Sequence, residues 1–514
     1  MTKEKKALLF ISDFTDRGGE KLFLWSSNGG LIEASAETIV KEDCELVCHD
    51  YWLVAPAIYK KIRSLPKCVI DVEELRTSTS GKREDRENRD KVDFSDALIK
   101  FSGEETIGRY KNIICKKKPI DAEVFCLIGR DLLQLAESLE TKARRADEWT
   151  RYVDVERPVA DFLIRSAADG IAIDEAALRK HKAKIDFSFY MALKEFSAKH
   201  SLPLEVPSDD EVIKYLEPRF DFSGVGLEYV LNFVPMSDGF SDDLLRLRKL
   251  TNFRRVLNAI PLSQKRVYPI VDSFGSITSR IYFKDPSLQN LSKHHRDILK
   301  ADEGMMLSYV DYDQYEAGIM GALSKDDEIL RLFSSGDLYA QAAEEIFSDH
   351  GKRKQAKRLF LSYAYGMRRK SLIDAAAGLG AERTKAKEFF NRFSTFEKWK
   401  EGVWEEFREN GRVGTILGNY LSRDGTGELS EKEKRSAVSQ VVQGTASLIF
   451  KKALVRLGSV NGVSLKVPMH DAVLFQHSPE FDPVVVIELF SKVMSEHFDN
   501  RIQGKASLSK FVPE

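Results

Sequence analysis

Short apolar runs separated by polar breaks open the chain. Residues 7–11, 22–25, 46–48 and 68–72 are such runs, and they predict strands. Further along the period changes. Over 131–143 and 155–168 apolar residues recur every three to four positions, which predicts amphipathic helices. The stretch Gly170 to Asp174 ends the second helix and begins the next element. Residues 77–90 are polar and charge-dense, the pattern of a mobile loop. Two later apolar runs stop at an acid. Leu307-Ser308-Tyr309-Val310 ends at Asp311, and Asp471 lies between two apolar runs, as at a hairpin tip. Arg353, Lys357, Leu361 and Tyr365 are spaced by four and share one face of a predicted helix. The expected fold class is α/β followed by α+β, in several domains. A small α/β unit covers 1–145, a helical connector 146–265 and a mixed region 266–514.

Composition changes this picture little. A chain of 514 residues carries a prior of about three domains. With 43% hydrophobic and 31% charged residues it can bury large cores. The net charge of −1 excludes a uniformly basic binder but not a basic groove on an otherwise acidic body. No run approaches the roughly 18 apolar residues of a membrane span. Lys3 to Lys6 before the first apolar run imitate a signal start, but the run is short and Asp13 follows, so it reads as a strand. All five cysteines (Cys44, Cys48, Cys68, Cys115, Cys126) precede residue 127, and no CxxC pair occurs. Reduced thiols fit better than a zinc site, and a cytoplasmic setting follows.

The acids and the basic helix carry the chemistry. Two carboxylates delivered from strand ends can hold two divalent ions a few ångströms apart, an arrangement suited to in-line attack at phosphorus. Hard Mg²⁺ accepts a few carboxylates plus substrate phosphate oxygens. Between the aspartates, Lys352 to Lys370 contains eight Lys and Arg residues and no acid. Two cations, an apolar residue and an aromatic along one face suit a phosphate tail, a sugar and a base. A solvated basic face has the same pattern, and lone strand-end or hairpin aspartates are common.

Order and context join these pieces. Asp311-Tyr312-Asp313-Gln314-Tyr315-Glu316 resembles DYSQIE, the first acidic motif of the family A DNA polymerases. Asp337-Leu338-Tyr339 and Glu345-Ile346-Phe347 continue the pattern. Arg353, Lys357, Leu361, Tyr365 and Gly366 resemble RxxxKxxxFxxxYG, and Met469-His470-Asp471-Ala472 resembles VHDE. Thr278-Ser279-Arg280 stands for TGR, Asp285 to Asn290 for DPNLQN with Arg296 following, and Arg435 to Ala446 for RxxxN…QGTA. Thr415 to Asn419 resembles TxxGR with Asn419 in the arginine's place. The likeness spans about 150 to 514.

The resemblance implies a right hand of palm, fingers and thumb, preceded by an RNase H-like exonuclease-type domain. It implies a template-directed DNA polymerase that extends primer 3′ ends with dNTPs on primer–template DNA, of a phage-like or bacterial kind in a bacterial or phage-infected cytoplasm. Replisome proteins are further partners to look for. Asp311, Asp471 and the Tyr312 carbonyl would bind two Mg²⁺, with Mn²⁺ able to substitute. Arg353 and Lys357 would grip the triphosphate, Lys357 also serving as proton donor to the pyrophosphate. Leu361, Tyr365, Glu316, Gln314 and Tyr312 would line the nucleotide site. Arg280, Gln289, Asn290, Arg435, Gln443 and His470 would meet the DNA, largely in the minor groove, where readout is insensitive to sequence. Glu316 stands where the family excludes a ribose 2′-hydroxyl, which favours DNA over RNA synthesis. Basic Arg246, Arg248, Lys249, Arg254 and Arg255 in the thumb segment could follow duplex phosphates; an ordinary mixed-charge helix fits them equally.

Several positions depart from the pattern. Leu361 replaces an aromatic, Ala472 a glutamate, and Ser439 an asparagine. In the N-terminal unit an exonuclease would need DxE, NxxxFD and YxxxD carboxylates. Here Thr15 and Val54 stand in two of those places, and only Asp13 and Asp131 remain. The expectation is a domain without nuclease activity, the alternative being a shifted site using Asp43, Asp50 and Asp71. Two other functions stay open: a catalytically impaired DNA-binding accessory, and a polymerase with relaxed sugar selection.

Overall fold

In the computed structural model, which describes residues 4–11, 20–89, 93–115, 118–220, 222, 226–234 and 236–513, the early apolar runs build one five-stranded sheet. Its strands are β1 (Lys5–Ile11), β2 (Lys21–Ser26), β3 (Gly30–Ala34), β4 (Glu45–Cys48) and β5 (Val69–Asp71), in the order β3-β2-β1-β4-β5. β1, β2 and β3 run antiparallel, while β1, β4 and β5 are parallel. Alternate residues of β1 feed opposite faces, as the pleat requires. Leu9 and Ile11 join a core with Ile107, Val124 and Phe125, whereas Leu8 and Phe10 pack with Val54 and Ile58. Sequence pattern alone missed β3, an edge strand whose Ile32 is half exposed. All five cysteines are free thiols.

The helix expected at 131–143 is the second half of Ala122–Arg145, which Asp121 caps by accepting from the Glu123 and Val124 amides. The one expected at 155–168 begins as a wide turn over Tyr152–Glu156 and continues as Arg157–Asp169. Gly170, at φ 63°, ends it in a conformation that costs glycine little.

Residues 77–90 correct an expectation. They form no free loop: the Val72–Ser78 helix runs into them, Arg83–Glu87 is a second short helix, and Arg86 is 3% exposed; Asp90 lies outside the described residues. Local composition is loop-like because the partners that order this strap are far away in sequence.

A polar network fastens the strap and connector to the rest. Buried Arg151 pairs with Glu148 at 2.7 Å and with Glu156. The other Glu156 oxygen accepts from Lys451 Nζ at 2.5 Å, and Glu148 accepts from the backbone amides of Asn419 and Tyr420 at 3.0 and 3.2 Å. Each charge has a partner, so removing one would strand another at a cost of about 3–5 kcal/mol.

The connector is dominated by the helices Glu175–His200 and Phe240–Asn258, which share a core of Phe189, Leu193, Phe196, Leu244 and Leu247. Three of its candidate phosphate-binding arginines are engaged with acids: Arg246 with Glu195 (3.7 Å), Arg248 with Asp209 (2.7 Å) and Arg254 with Asp186 (2.6 Å). The C-terminal region is built on an antiparallel sheet in the order Val463–Met469, Ala472–His477, Met306–Tyr312, Ala506–Leu508. Behind it runs the long Glu431–Leu457 helix, started by a Ser430–Glu433 capping box. No described helix is long and apolar enough to cross a membrane.

The N-terminal unit contains an acid held in its neutral form. Burial, and then Asp71, push Glu74 up to about 8, while Trp52 Nε1–H donates to it at 2.5 Å. A carboxyl with a raised folded-state pKa stabilises the fold at low pH and loses that contribution as pH rises toward the folded value. Wild type should therefore lose melting temperature between pH 5 and pH 8 relative to Glu74→Gln, which keeps the acceptor and cannot ionise. Parallel calorimetric curves for the two proteins would contradict this.

Candidate active site

Strand register brings the two aspartates together. Asp311 lies opposite Ala472, and Ala472 opposite Met469, so His470 and Asp471 form the two-residue turn between strands. His470 adopts the left-handed φ of 60° that such a tight turn favours. The Tyr312 amide then donates to the Asp471 carbonyl at 3.3 Å. Asp311 Oδ1 is buried and has no hydrogen-bond partner. Burial, followed by the nearby Asp471, pushes the Asp311 carboxyl up to about 7, with Lys293 and Lys357 acting in the opposite direction. Asp471 is also raised, chiefly by burial and with Glu316 adding to it; Lys357 and Arg280 oppose.

An orphaned carboxylate oxygen beside a second acid is a setting that a hard cation neutralises. Among the described residues no group of three or more His, Cys, Asp or Glu side chains could hold a metal. Ions at Asp311 and Asp471 would therefore draw their remaining ligands from backbone, water and substrate oxygens. The Tyr312 ring is not one of them. It stacks on Tyr315 at 4.1 Å and 3°, and its hydroxyl donates to the Phe490 carbonyl, which leaves only its backbone carbonyl to offer.

Lys357, on the Arg353–Ala364 helix, bears on the same two carboxyls. Arg353 pairs with Asp337 at 2.6 Å, and the Arg353 and Lys357 charges lie 5.6 and 5.4 Å from the centre of the Tyr339 ring. Lys357 is exposed, and its charge draws down both aspartates. Just past the helix, Tyr365 O–H donates to Glu316 Oε2 at 2.7 Å, while Arg280 Nη2 donates to Glu316 Oε1 at 2.9 Å. Both carboxylate oxygens are thus held at the wall of a cavity of about 970 Å³. Leu361, Tyr365, Arg435 and Gln443 also line it, together with Tyr229 and Phe233 from the connector.

The remaining sequence candidates take other positions. Gln314 accepts from the Leu338 amide at 2.7 Å and donates to the Gly336 carbonyl at 2.8 Å, bracing the turn before Tyr339. Gln289 is 7% exposed and accepts from the Phe283 amide at 3.1 Å; its Nε2 and Asn290 Nδ2 both donate to Ser287 Oγ. These bonds brace the turn at Ser287, with Gln289 buried and Asn290 half-buried. His470 is exposed at the hairpin tip. Sequence reading gave no role to Lys293, Asp337, Tyr339, Tyr229 or Phe233. Asp337 and Tyr339 lay inside a quoted motif without an assigned role, while Tyr229 and Phe233, far from the motifs in sequence, gave no signal.

The strain on Asp311 has a measurable consequence. A buried carboxyl whose pKa is raised contributes stability that is lost as pH rises toward 7. Without divalent ions, Asp311→Asn should melt a few degrees higher than wild type at pH 8 and no higher at pH 4. A lower melting temperature at pH 8 would show that the carboxylate is not held against its preference.

A family model for DNA polymerase family A matches residues 235–508, more than half of the chain. The thermostable DNA polymerase I of Thermus thermophilus is 26% identical over 431 residues, covering 77% of this chain and 49% of that protein. DNA polymerase I of Aquifex aeolicus is 28% identical over 404 residues, covering 70% of this chain and 65% of the relative. The chain spans about half the length of the Thermus relatives it matches. The solved POL domain of Pol1 from M. smegmatis, in complex with DNA primer-template and dNTP, shares the fold with a TM-score of 0.76. That match has 19% identity and covers 99% of this chain and 95% of that one. The chain belongs to DNA polymerase family A.

Proposed function

We propose that this protein is a template-directed DNA polymerase that extends a primer 3′ end with dNTPs by two-metal nucleotidyl transfer. The observation that carries this reading is the Asp311–Asp471 pair, with an orphaned buried oxygen, facing Lys357. The four-stranded sheet is the palm, the region around the Arg353–Ala364 helix the fingers and the Glu175–His200/Phe240–Asn258 pair the thumb. Asp311, Asp471 and the Tyr312 carbonyl would hold two Mg²⁺. When bound, these ions favour the ionised primer hydroxyl and offset charge on the phosphates. Arg353 and Lys357 bind the triphosphate. Lys357, exposed and near both acids, can deliver a proton to the departing pyrophosphate oxygen. Arg435 and Gln443 sit on the cavity wall, where primer–template would pass. The M. smegmatis domain was solved with DNA primer-template and dNTP, and the Thermus thermophilus relative is a DNA polymerase I, which supports primer–template DNA and dNTPs as substrates.

Glu316 is the proposed sugar gate. Arg280 and Tyr365 fix its carboxylate from both sides, so it cannot swing away from a ribose 2′-hydroxyl without breaking two bonds. We further read the N-terminal unit as exonuclease-like in architecture but without proofreading. Its mixed sheet with one antiparallel flank suits the first part. For the second, Val54 lies in the core where a metal carboxylate is needed. Asp131 is fully buried, accepting from Ser102 and from Arg130 at 3.1 Å. The alternative acids are also employed: Asp71 caps the Val72–Ser78 helix and accepts from the Tyr51 amide, Asp50 lies 3.1 Å from His49 Nδ1, and Asp43 pairs with Lys67 at 2.8 Å. Asp13 and Thr15 lie outside the described residues.

Primer extension on a recessed duplex with Mg²⁺ tests the reading. Wild type should add templated dNTPs, and Asp311→Ala should lower the rate about a thousandfold or more. Glu316→Ala should raise ribonucleotide relative to deoxynucleotide use at least about tenfold. DNA binding with no extension by wild type would instead favour an accessory protein.

A further inference from the structure

The turn that carries Arg280 is strained. Ser279, a residue with a Cβ, sits at φ 59°, a left-handed conformation that non-glycine residues hold only when the surroundings fix it. Four groups do so. Ser447 Oγ–H donates to the Ser279 carbonyl at 2.6 Å, and Gln440 Nε2 to the Ile277 carbonyl at 3.2 Å. Ser279 Oγ–H donates to Asn419 Oδ1 at 2.9 Å. The fourth group comes from the N-terminal unit. Arg86 Nη1 faces the Ile277 carbonyl at 2.7 Å, Ser279 Oγ at 2.8 Å and Asn419 Oδ1 at 3.0 Å. Its other side donates to the Ser78 and Ser80 carbonyls. Burial and neighbouring Arg151 draw Arg86 down to about 10, which leaves it charged at neutral pH.

The strap around Arg86 is docked as well as threaded. The Ser422 amide donates to the Gly81 carbonyl at 2.8 Å, and a Cβ on Gly81 would overlap Ser422 Oγ. Arg89 Nη1 donates to buried Asp272 at 2.7 Å. Position 419 is the place where the TxxGR pattern has an arginine and this chain has asparagine. One guanidinium therefore reaches this pocket from the N-terminal unit, while the residue within the pocket is a neutral acceptor for it.

We propose that Arg86 is a positioning residue for primer–template binding: from the N-terminal unit it fixes the Ser276–Arg280 turn, and so sets Arg280 against Glu316. The N-terminal unit is then a working part of the polymerase rather than a separable attachment. This rests on the polymerase reading above, with Arg280 on the DNA-facing side of the site.

Full-length Arg86→Ala, Arg86→Lys and the double variant Arg86→Ala/Asn419→Arg test it. Steady-state primer extension and hydrogen exchange of the 275–281 segment are the two readouts. Arg86→Ala should raise KM for primer–template about tenfold, keep kcat within about twofold, and speed exchange of the 275–281 amides. Arg86→Lys, which keeps the charge but not the planar fork, should fall between Arg86→Ala and wild type. Restoring a guanidinium at 419 should bring KM and exchange back to within about threefold of wild type. Unchanged KM and exchange in both single variants would overturn the proposal. So would an Arg86→Ala defect that the double variant leaves in place, because Arg86 would then matter only to overall stability. If wild type extends no primer, the polymerase reading fails, and exchange of 275–281 still reports whether Arg86 fixes the turn.

Discussion

Antiparallel pairing between Met306–Tyr312 and Ala472–His477 forces two carboxylates together in a half-buried place, and the rest of the site answers that constraint. Backbone hydrogen bonds along both strands hold the pair against its own repulsion, since one register slip would turn every side chain to the opposite face. The strain is visible in Asp311, pushed up to about 7, and in its orphaned oxygen. Positive charge is arranged around it in response. Lys357 and Lys293 bear on Asp311, and Lys357 and Arg280 on Asp471. Such strain lowers stability locally, as functional sites commonly do.

The positive groups are themselves held by partners from elsewhere. Tyr339 lies beneath Arg353 and Lys357, and Gln314 braces the turn that leads to it. Glu316 ties Arg280 to Tyr365, while Arg280 leaves a turn clamped by Ser447, Gln440, Asn419 and Arg86. Buried ion pairs through Arg151, Glu156 and Lys451 then join the connector to the same region, and Arg151 also donates to the Ser78 carbonyl of the N-terminal unit. Such pairs add modest net stability, but breaking one is costly, so they fix relative placement more than they add strength.

Much of this could be read from the chain, and the reasons are local. Asp311 and Asp471 announced themselves because apolar runs of strand type end at them. The helix face from Arg353 to Leu361 followed from spacing by four. Four strands of the first sheet showed as apolar runs, while β3 did not, because an exposed edge needs little apolar content. What stayed hidden depends on distant partners. Arg86 sits in a segment with the composition of a loop and is ordered by acceptors at 277, 279 and 419. Gln289, expected at the DNA, also accepts from the Phe283 amide, a contact that no motif spacing specifies. Tyr339 lay in plain view within a motif, yet only the fold shows that two cations share its ring.

The central claim is that the register-held pair Asp311 and Asp471 receives two metal ions. Electron paramagnetic resonance of Mn²⁺, in a complex with a chain-terminated primer–template and the matching dNTP, tests it directly. The account predicts two bound, spin-coupled ions in wild type and loss of the coupled signal in Asp471→Asn while DNA remains bound. A coupled pair that survives Asp471→Asn, or a single uncoupled ion in wild type, would contradict it.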